Sequence, residues 1–289
     1  KAFYDTSPAS QDIYKRANTY LGFDIAALCF EGPPEELTKT ERCQPALFVT
    51  AVAAFAAFHE LAPAATPLGL AGLSLGELTA LTVADAIQFR EAVYLVQARG
   101  EAMAECAATR GGAMLAVIGL SNEAIEAICK ASGAVGANYN APEQVVLSGT
   151  VEAIEKAEQL AEAQGAKRAM RLDVAGAFHS PLMQPAAEAL RKALGKVDVE
   201  SPRWPVISNV TATPIQDPAE IRELLVQQVV SPVLWEASMR YLIQAGATHI
   251  LEFPPARILT GLLRRIDKSV TGLALDSPID LTNLAELVC

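Results

Sequence analysis

Apolar positions along this chain follow two rhythms. Through residues 1–66 they recur at helical spacing. Residues 8–20 are amphipathic, 34–37 resemble the first turn of a short helix, and 45–60 are apolar on nearly every face, which predicts burial on all sides. The apolar run 46–58, broken by Thr50, is too short to span a bilayer. Residues 68–73 read as a short strand, and 75–84 and 89–107 as helices. From residue 112 the rhythm changes. Strand-like runs at 113–118, 134–139, 144–148 and 167–172 alternate with helical ones at 122–131 and 151–163, with Ser121 as an N-cap and Gly165 as a stop. That order, β-α-β-β-α-β, is the ferredoxin-like unit. Beyond residue 174 the pattern predicts helices at 185–194, 220–229, 235–244 and 259–266, strands at 204–209 and 249–253, and a polar loop at 211–218. The expected fold class is α/β. Residues 1–111 and 174–289 form a discontinuous core with a mostly parallel sheet, and 112–173 form an inserted ferredoxin-like subdomain.

Composition narrows the classes. The chain has 289 residues, 51% hydrophobic and 19% charged, enough to bury a sizeable core and too apolar for disorder. A net charge of −10 argues against nucleic acid, because no overall basic field gathers phosphates. The five cysteines, Cys29, Cys43, Cys106, Cys129 and Cys289, are odd in number and never spaced Cys-x-x-Cys. That disfavours a disulfide framework or a metal site and fits a reducing compartment. No signal-peptide pattern opens the chain. The expected location is cytoplasmic, or an organelle stroma in a eukaryote, with no membrane insertion.

One stretch carries chemistry. Gly72-Leu73-Ser74-Leu75-Gly76, between the 68–73 strand and the 75–84 helix, is a Gly-x-Ser-x-Gly nucleophile elbow. Glycines at both ends let strand and helix approach around a serine in a strained turn. The Ser74 hydroxyl then projects beside the Leu75 N–H at a helix start, where developing negative charge is favoured. A chance match in a chain of this composition has odds of about one in twenty, so a catalytic serine outweighs a structural turn. Ser74 needs a base. Of the three histidines, His249 alternates with apolar residues in a strand and His59 closes a helix. His179 follows a strand and precedes a helix, where α/β folds place functional groups. On spacing alone, His179 as base and His179 as a buried or capping residue are evenly matched.

These and other motifs resemble the malonyl-CoA:acyl carrier protein transacylases, the acyltransferase family of fatty acid and polyketide synthesis. The resemblance spans essentially the whole chain. It rests on Thr40-Glu41-Arg42-Cys43-Gln44-Pro45-Ala46-Leu47, the elbow, Gln97-Ala98-Arg99-Gly100-Glu101-Ala102-Met103, Asn138-Tyr139-Asn140-Ala141-Pro142, Gly176-Ala177-Phe178-His179-Ser180, Ser231-Pro232-Val233-Leu234-Trp235 and Leu259-Thr260-Gly261-Leu262-Leu263-Arg264-Arg265-Ile266. It implies an α/β-hydrolase-like core with a ferredoxin-like insertion. It implies Ser74 as nucleophile, His179 as base, the Gln228 backbone carbonyl as the group orienting the histidine, and the Leu75 N–H as an oxyanion donor. Arg99 would grip the free carboxylate of a malonyl group, a task suited to a guanidinium fork. Without the family match a surface charge would be the better reading of Arg99. Asn140 is expected to line the pocket or to hold a turn, and Phe178 matches the form associated with malonyl over methylmalonyl substrates. The implied partners are malonyl-CoA and the phosphopantetheine arm of acyl carrier protein. No metal or redox cofactor is implied, and a monomer is expected.

Some features depart from the family pattern. Leu73 stands where many members have histidine, and Phe253-Pro254-Pro255-Ala256 replaces a Gly-Pro-Gly loop. The family opens with a strand and a Phe-Pro-Gly-Gln-Gly-Ser-Gln segment whose first glutamine supplies a second oxyanion contact; this sequence matches from about twenty residues beyond that start. An enzyme lacking that donor would lose about 100- to 1000-fold in rate. An acidic carrier meeting an acidic enzyme needs a local basic patch. Lys167/Arg168/Arg171, Arg191/Lys192/Lys196 and Arg264/Arg265/Lys268 are candidates, each equally readable as a solvated face. Two other functions remain open on these residues. One is a serine thioesterase with an acid such as Glu152, Glu155 or Asp173 behind the histidine. The other is a carrier-binding module without catalysis.

Overall fold

The computed structural model describes residues 1–174 and 176–280. Ala175, Cys289 and the rest of 281–289 lie outside the described residues. The predicted helical start is present as α1 (Ala2–Thr6), α2 (Pro8–Leu21), α3 (Ile25–Glu31), α4 (Pro34–Leu37) and α5 (Thr40–Leu61). Side-chain oxygens of Ser7 and Asp24 cap α2 and α3 by accepting from Ser10 N–H and Ala27 N–H. Helix α5 begins earlier than the expected residue 45 and carries Pro45 inside it. By length and composition it could cross a membrane, yet more than half of it is buried inside the protein. There it packs against α2, α6 (Leu75–Val83) and α7 (Phe89–Arg110). Phe48, fully buried on α5, stacks on Phe89 of α7 with ring centroids 5.8 Å apart. Gly100 permits the close approach of these helices: a Cβ there would sit 3.0 Å from Glu41 Cα.

The inserted unit has the predicted element order: β1 (Ala113–Ile118), α8 (Asn122–Ser132), β2 (Val135–Ala141), β3 (Gln144–Gly149), α9 (Val151–Ala163) and β4 (Arg168–Arg171). Its sheet runs β2-β3-β1-β4, with every pairing antiparallel. Leu115, Val117, Ile125, Ile128, Val145, Leu147 and Ile154 give it a core of its own. It is stitched to the body where Tyr139 N–H donates to Val233 C=O (2.9 Å) and Val233 N–H donates to Ala137 C=O (2.8 Å). Strand β2 runs through Ala141, two residues beyond the expected end at 139.

The chain then continues as α10 (Gln184–Leu194), β5 (Val206–Ile207), β6 (Pro214–Ile215), α11 (Pro218–Gln228), α12 (Trp235–Gln244), β7 (His249–Glu252), α13 (Leu259–Ile266) and β8 (Thr271–Ala274). The expected mostly parallel sheet is not continuous among the described residues. Its pieces are a parallel bridge between Leu70 and Val206 and the parallel pair β7–β8, while β5–β6 is antiparallel. The expected 68–73 strand reduces to that bridge, in which Leu70 N–H donates to Pro205 C=O (2.7 Å) and Leu70 C=O accepts from Ile207 N–H (2.9 Å). Gly69 and Gly72 weaken it as a strand. Its other side opens on a cavity of about 690 Å³, and residues 249–253 line the same space. The two parallel pieces are thus held apart by a gap, each paired on one side only.

The elbow itself is tight. A Cβ on Gly72 would lie 2.0 Å from the backbone carbon and oxygen of Gly76, whereas a Cβ on Gly76 would meet nothing within 4 Å. Only Gly72 is required by close approach, a correction to the expectation that both glycines are. Gly72→Ala should therefore destabilise the fold by about 3 kcal/mol, the upper range for overpacking, while Gly76→Ala should stay within about 1 kcal/mol of the parent. Thermal unfolding of the two variants side by side checks this.

Candidate active site

Ser74 occupies the Ncap position of α6 with φ 53° and ψ −107°, a conformation that a non-glycine residue holds only when its surroundings enforce it. Asn209 enforces it. Its Oδ1 accepts from Ser74 N–H (2.6 Å) and its Nδ2 donates to Gly72 C=O (2.8 Å). Asn209 is anchored in turn: its N–H donates to Glu77 Oε2 (3.2 Å) and its C=O accepts from Leu234 N–H (2.8 Å). Leu75 N–H, the first of α6, meets no acceptor among the described residues and remains free for an incoming oxygen.

The structure brings His179 and Arg99 to the Ser74 hydroxyl. Ser74 Oγ lies 2.8 Å from His179 Nε2 and 2.9 Å from Arg99 Nη2. His179 Nδ1 lies 2.8 Å from Gln228 C=O. A carbonyl only accepts, so Nδ1 carries the proton and Nε2 is left as the acceptor for the serine O–H. Gln228 is the last residue of α11, where a helix leaves carbonyls unpaired and its dipole favours positive charge. His179 has φ 56° and stands in a turn held by Ser180, whose Oγ donates to Ala177 C=O (2.6 Å). Burial, then the Arg99 charge, push the imidazole down to about 4, opposed by the Gln228 and Ser231 backbones. It is neutral at physiological pH.

Arg99 is 2% exposed, on the α7 face packed against α5. Its Nη1 donates to Gln44 Oε1 (2.6 Å), and its Nη2 donates to Gln228 Oε1 (3.0 Å) as well as to Ser74. Burial lowers it to about 10, opposed by the charge of Glu77, so it stays cationic at neutral pH. Its hydrogen-bond partners are neutral, and no carboxylate among the described residues forms an ion pair with it. A guanidinium held this way can accept an outside carboxylate.

The predicted Ser74, Leu75, His179, Arg99 and Gln228 all converge on one spot. Phe178 is half-buried beside them, packed on the main core and on the Met114 cluster. Asn140 lies on β2 with a buried Oδ1 that has no hydrogen-bond partner among the described residues, and no hydrogen bond joins it to Ser74, His179 or Arg99. Four contributions escaped sequence reasoning: the Asn209 clamp, the Gln44 acceptor, the Gln228 side chain and buried Glu77. Gln44 stood inside a motif that carries the family resemblance, and Glu77 directly follows the elbow. Asn209 and the Gln228 side chain gave no comparable signal. The acid-backed histidine is not what the structure contains, since Nδ1 meets a carbonyl. Among the described residues, no cluster of three or more His, Cys, Asp or Glu could hold a metal.

A serine hydroxyl donating to a neutral imidazole, beside a free helix-start N–H, can attack an acyl carbonyl and hold the oxyanion. The fold and site define a serine acyltransferase. The family model for the acyl transferase domain matches residues 1–276, and the chain belongs to that family. It is 40% identical over 283 residues to the malonyl CoA-acyl carrier protein transacylase of Bacillus subtilis strain 168, covering 96% of this chain and 89% of that one. It is 39% identical over 284 residues to that of Escherichia coli K12, covering 97% and 92%. Among solved structures, the transacylase of Coxiella burnetii superposes with a TM-score of 0.96 at 37% identity, over 99% of this chain and 92% of that one. A malonyl-transacylase in complex with its type II PKS acyl-carrier protein superposes with a TM-score of 0.95 at 37% identity, over 99% and 94%.

The buried imidazole has a consequence in acid. Reactivity of Ser74 that depends on neutral His179 should persist from about pH 8 down to about pH 5 and fade only as the imidazole protonates near about 4. Labelling by a serine-reactive acylating probe, followed by intact mass in short incubations, measures it. A half-maximal rate near about pH 6.5, the ordinary histidine value, would contradict the geometry.

Proposed function

We propose that this chain transfers a malonyl group from malonyl-CoA to the phosphopantetheine thiol of acyl carrier protein through a malonyl ester on Ser74. The observation that carries this is the single hydroxyl shared by a neutral imidazole and a guanidinium with no ion-pair partner, 2.8 Å and 2.9 Å away. Ser74 Oγ attacks the thioester carbonyl while His179 Nε2 takes its proton, and the Leu75 N–H receives the developing oxyanion. The thioester C–S bond breaks and CoA leaves as the thiol, with His179 returning the proton. Gln228 C=O holds the imidazole in the right tautomer throughout. The carrier thiol then attacks the ester, again with His179 as base, and Ser74 is regenerated. Arg99 releases the serine and pairs with the malonyl carboxylate, fixing the acyl group. Phe178 and Asn140 are assigned to the wall of the acyl pocket. No cofactor takes part in these steps.

The remaining assignments belong to the same reading. Residues 1–111 and 174–289, of which Ala175 and 281–289 lie outside the described residues, are assigned to an α/β-hydrolase-like core. Residues 112–173 are a ferredoxin-like insertion, supported by their element order and antiparallel β2-β3-β1-β4 sheet. The enzyme works as a monomer in the cytoplasm or an organelle stroma. For the carrier, the patch Arg264, Arg265 and Lys268 at the end of α13 is favoured. Lys167 and Arg171 are ion-paired with Glu143, Glu155 and Glu158, and Arg191 with Glu223, whereas among the described residues no ion pair engages any of the α13 patch.

Mixing with malonyl-CoA should add the mass of one malonyl group to the parent chain and none to Ser74→Ala. Arg99→Ala should lose about 100-fold or more in malonylation rate while acetylation from acetyl-CoA falls less, as expected when one partner of a buried charge pair is removed. Absence of any adduct on the parent chain supports the non-catalytic module instead. Rapid loss of the adduct to water, without transfer to carrier, supports the thioesterase.

Reversing Arg264, Arg265 and Lys268 together to glutamate should raise KM for carrier protein about tenfold and leave serine malonylation by malonyl-CoA alone unchanged. Steady-state transfer assays at low salt test this, and unaltered carrier kinetics reject the patch.

A further inference from the structure

Glu77 takes no part in the steps above, yet it is fully buried on the first turn of α6, directly behind the nucleophile. Its Oε2 accepts from Gln228 Nε2 (2.5 Å) and from Asn209 N–H (3.2 Å); its Oε1 makes no hydrogen bond within 3.5 Å among the described residues, with the Ser208 hydroxyl nearby. A carboxylate set there to cap a helix would face its own backbone. This one faces two residues that hold the site.

The contacts form a relay. Gln228 Nε2 donates to Glu77 Oε2 and also lies 3.0 Å from Ser74 C=O, so both of its hydrogens are committed to acceptors. That fixes the flip of the amide and turns Oε1 toward Arg99 Nη2, 3.0 Å away. With the amide reversed, its oxygen would face a carboxylate and its hydrogens a guanidinium. The guanidinium, held by Gln228 on one side and Gln44 on the other, is thereby aimed at Ser74 Oγ. Glu77 sits one amide removed from Arg99, close enough for their charges to interact and without an ion pair between them.

We infer that Glu77 is a positioning residue that sets the selectivity of the site for anionic acyl groups: it orients Arg99 through the Gln228 amide, and its own proton occupancy tunes how strongly that guanidinium draws an acid tail. This rests on the reading that Arg99 holds the acyl carboxylate. Burial pushes the Glu77 carboxyl up to about 7, opposed by Gln228, the Asn209 backbone, the Arg99 charge and the Ser208 hydroxyl. Among the groups around it, α7 brings the cationic Arg99, and His179 is the nearby titratable base. The other neighbours are neutral: Gln228 from α11, Ser208 and Asn209 from the end of β5, and Gln44 reaching Arg99 from α5. Protonated Glu77 leaves the full guanidinium charge for the substrate. Ionised Glu77 offsets part of it, so attraction for a carboxylate tail weakens as pH rises through about 7.

The test is the ratio of Ser74 acylation rates from malonyl-CoA and acetyl-CoA, followed by intact mass from about pH 5.5 to about pH 8.5. Protonation of His179 and of the CoA phosphates affects both substrates alike and cancels in the ratio. The malonyl carboxyl itself titrates below this window. The expected ratio falls about tenfold across neutrality in the parent chain. In Glu77→Gln, which retains an acceptor for Gln228, the ratio is expected to be independent of pH. A parent ratio that stays flat overturns the inference even if the variant does not fold. So does a Glu77→Gln ratio that still titrates. If malonyl-CoA leaves no adduct on Ser74 at any pH, the transacylase reading fails as well; a malonyl adduct with a flat ratio removes only the role of Glu77.

Discussion

A guanidinium sealed inside a protein is the constraint from which the rest of this structure follows. Arg99 is 2% exposed, and a buried cation persists only where its N–H groups find acceptors. Those acceptors come from three separate parts of the chain: Gln44 on α5, Gln228 on α11 and Ser74 at the elbow. To deliver them, α5 and α7 must approach closely, which Gly100 allows, and α11 must end beside the elbow. The same α11 terminus gives His179 its carbonyl partner. Side chain and backbone of one residue, Gln228, thus tie the cation to the base. A loss at Gln228 would disturb both.

Two buried groups give the fold opposite responses to acid. His179 binds a proton near about 4 in the folded chain and at its ordinary 6.5 when unfolded. The unfolded state therefore holds more protons in that window, and stability falls as pH drops through it. Glu77 is raised from 4.5 to about 7, so the folded state holds the extra proton, and its contribution favours folding as pH drops through that window. Each alone corresponds to roughly 3 kcal/mol at its limit, and the two windows overlap. They offset one another, so the site can keep an unusually weak base without making the fold correspondingly fragile in mild acid.

The local order of this chain was legible because apolar spacing reports on nearest-neighbour burial. Helices 235–244 and 259–266 match α12 and α13 residue for residue, and the inserted unit has its predicted order. What failed was long-range pairing. The 68–73 stretch carries a strand-like apolar pattern, but a strand needs partners on both sides to be central, and here a cavity lies on one side. Strands β6 and β8 are short edge pieces whose residues carry no clear alternation, and both were missed. The site divides in the same way. Ser74 was legible from a backbone requirement written in Gly72, and His179 from its place after a strand. Arg99 was legible only through family resemblance, since nothing in a helix at 89–107 marks one arginine as buried. Asn209 was invisible, because a clamp spanning from residue 209 to residue 74 leaves no trace in either local pattern.

The choice of a carbonyl to orient the histidine follows from the same buried cation. In a Ser-His-acid triad the carboxylate stabilises the imidazolium and strengthens the base. Here an anion at Nδ1 would also sit beside Arg99 and compete with any acid tail for its charge. A carbonyl at the negative end of α11 selects the tautomer without adding a full charge. The carboxyl that does lie nearby, Glu77, stands behind a neutral amide, and burial shifts it toward its protonated form. Under the role proposed for His179, the cost is a weaker base, since the imidazole is held at about 4. A thioester is an activated acyl donor, so attack on it asks less of the base than attack on an amide would. Base strength is exchanged for an intact positive charge, an arrangement suited to an acyl group that carries its own negative one.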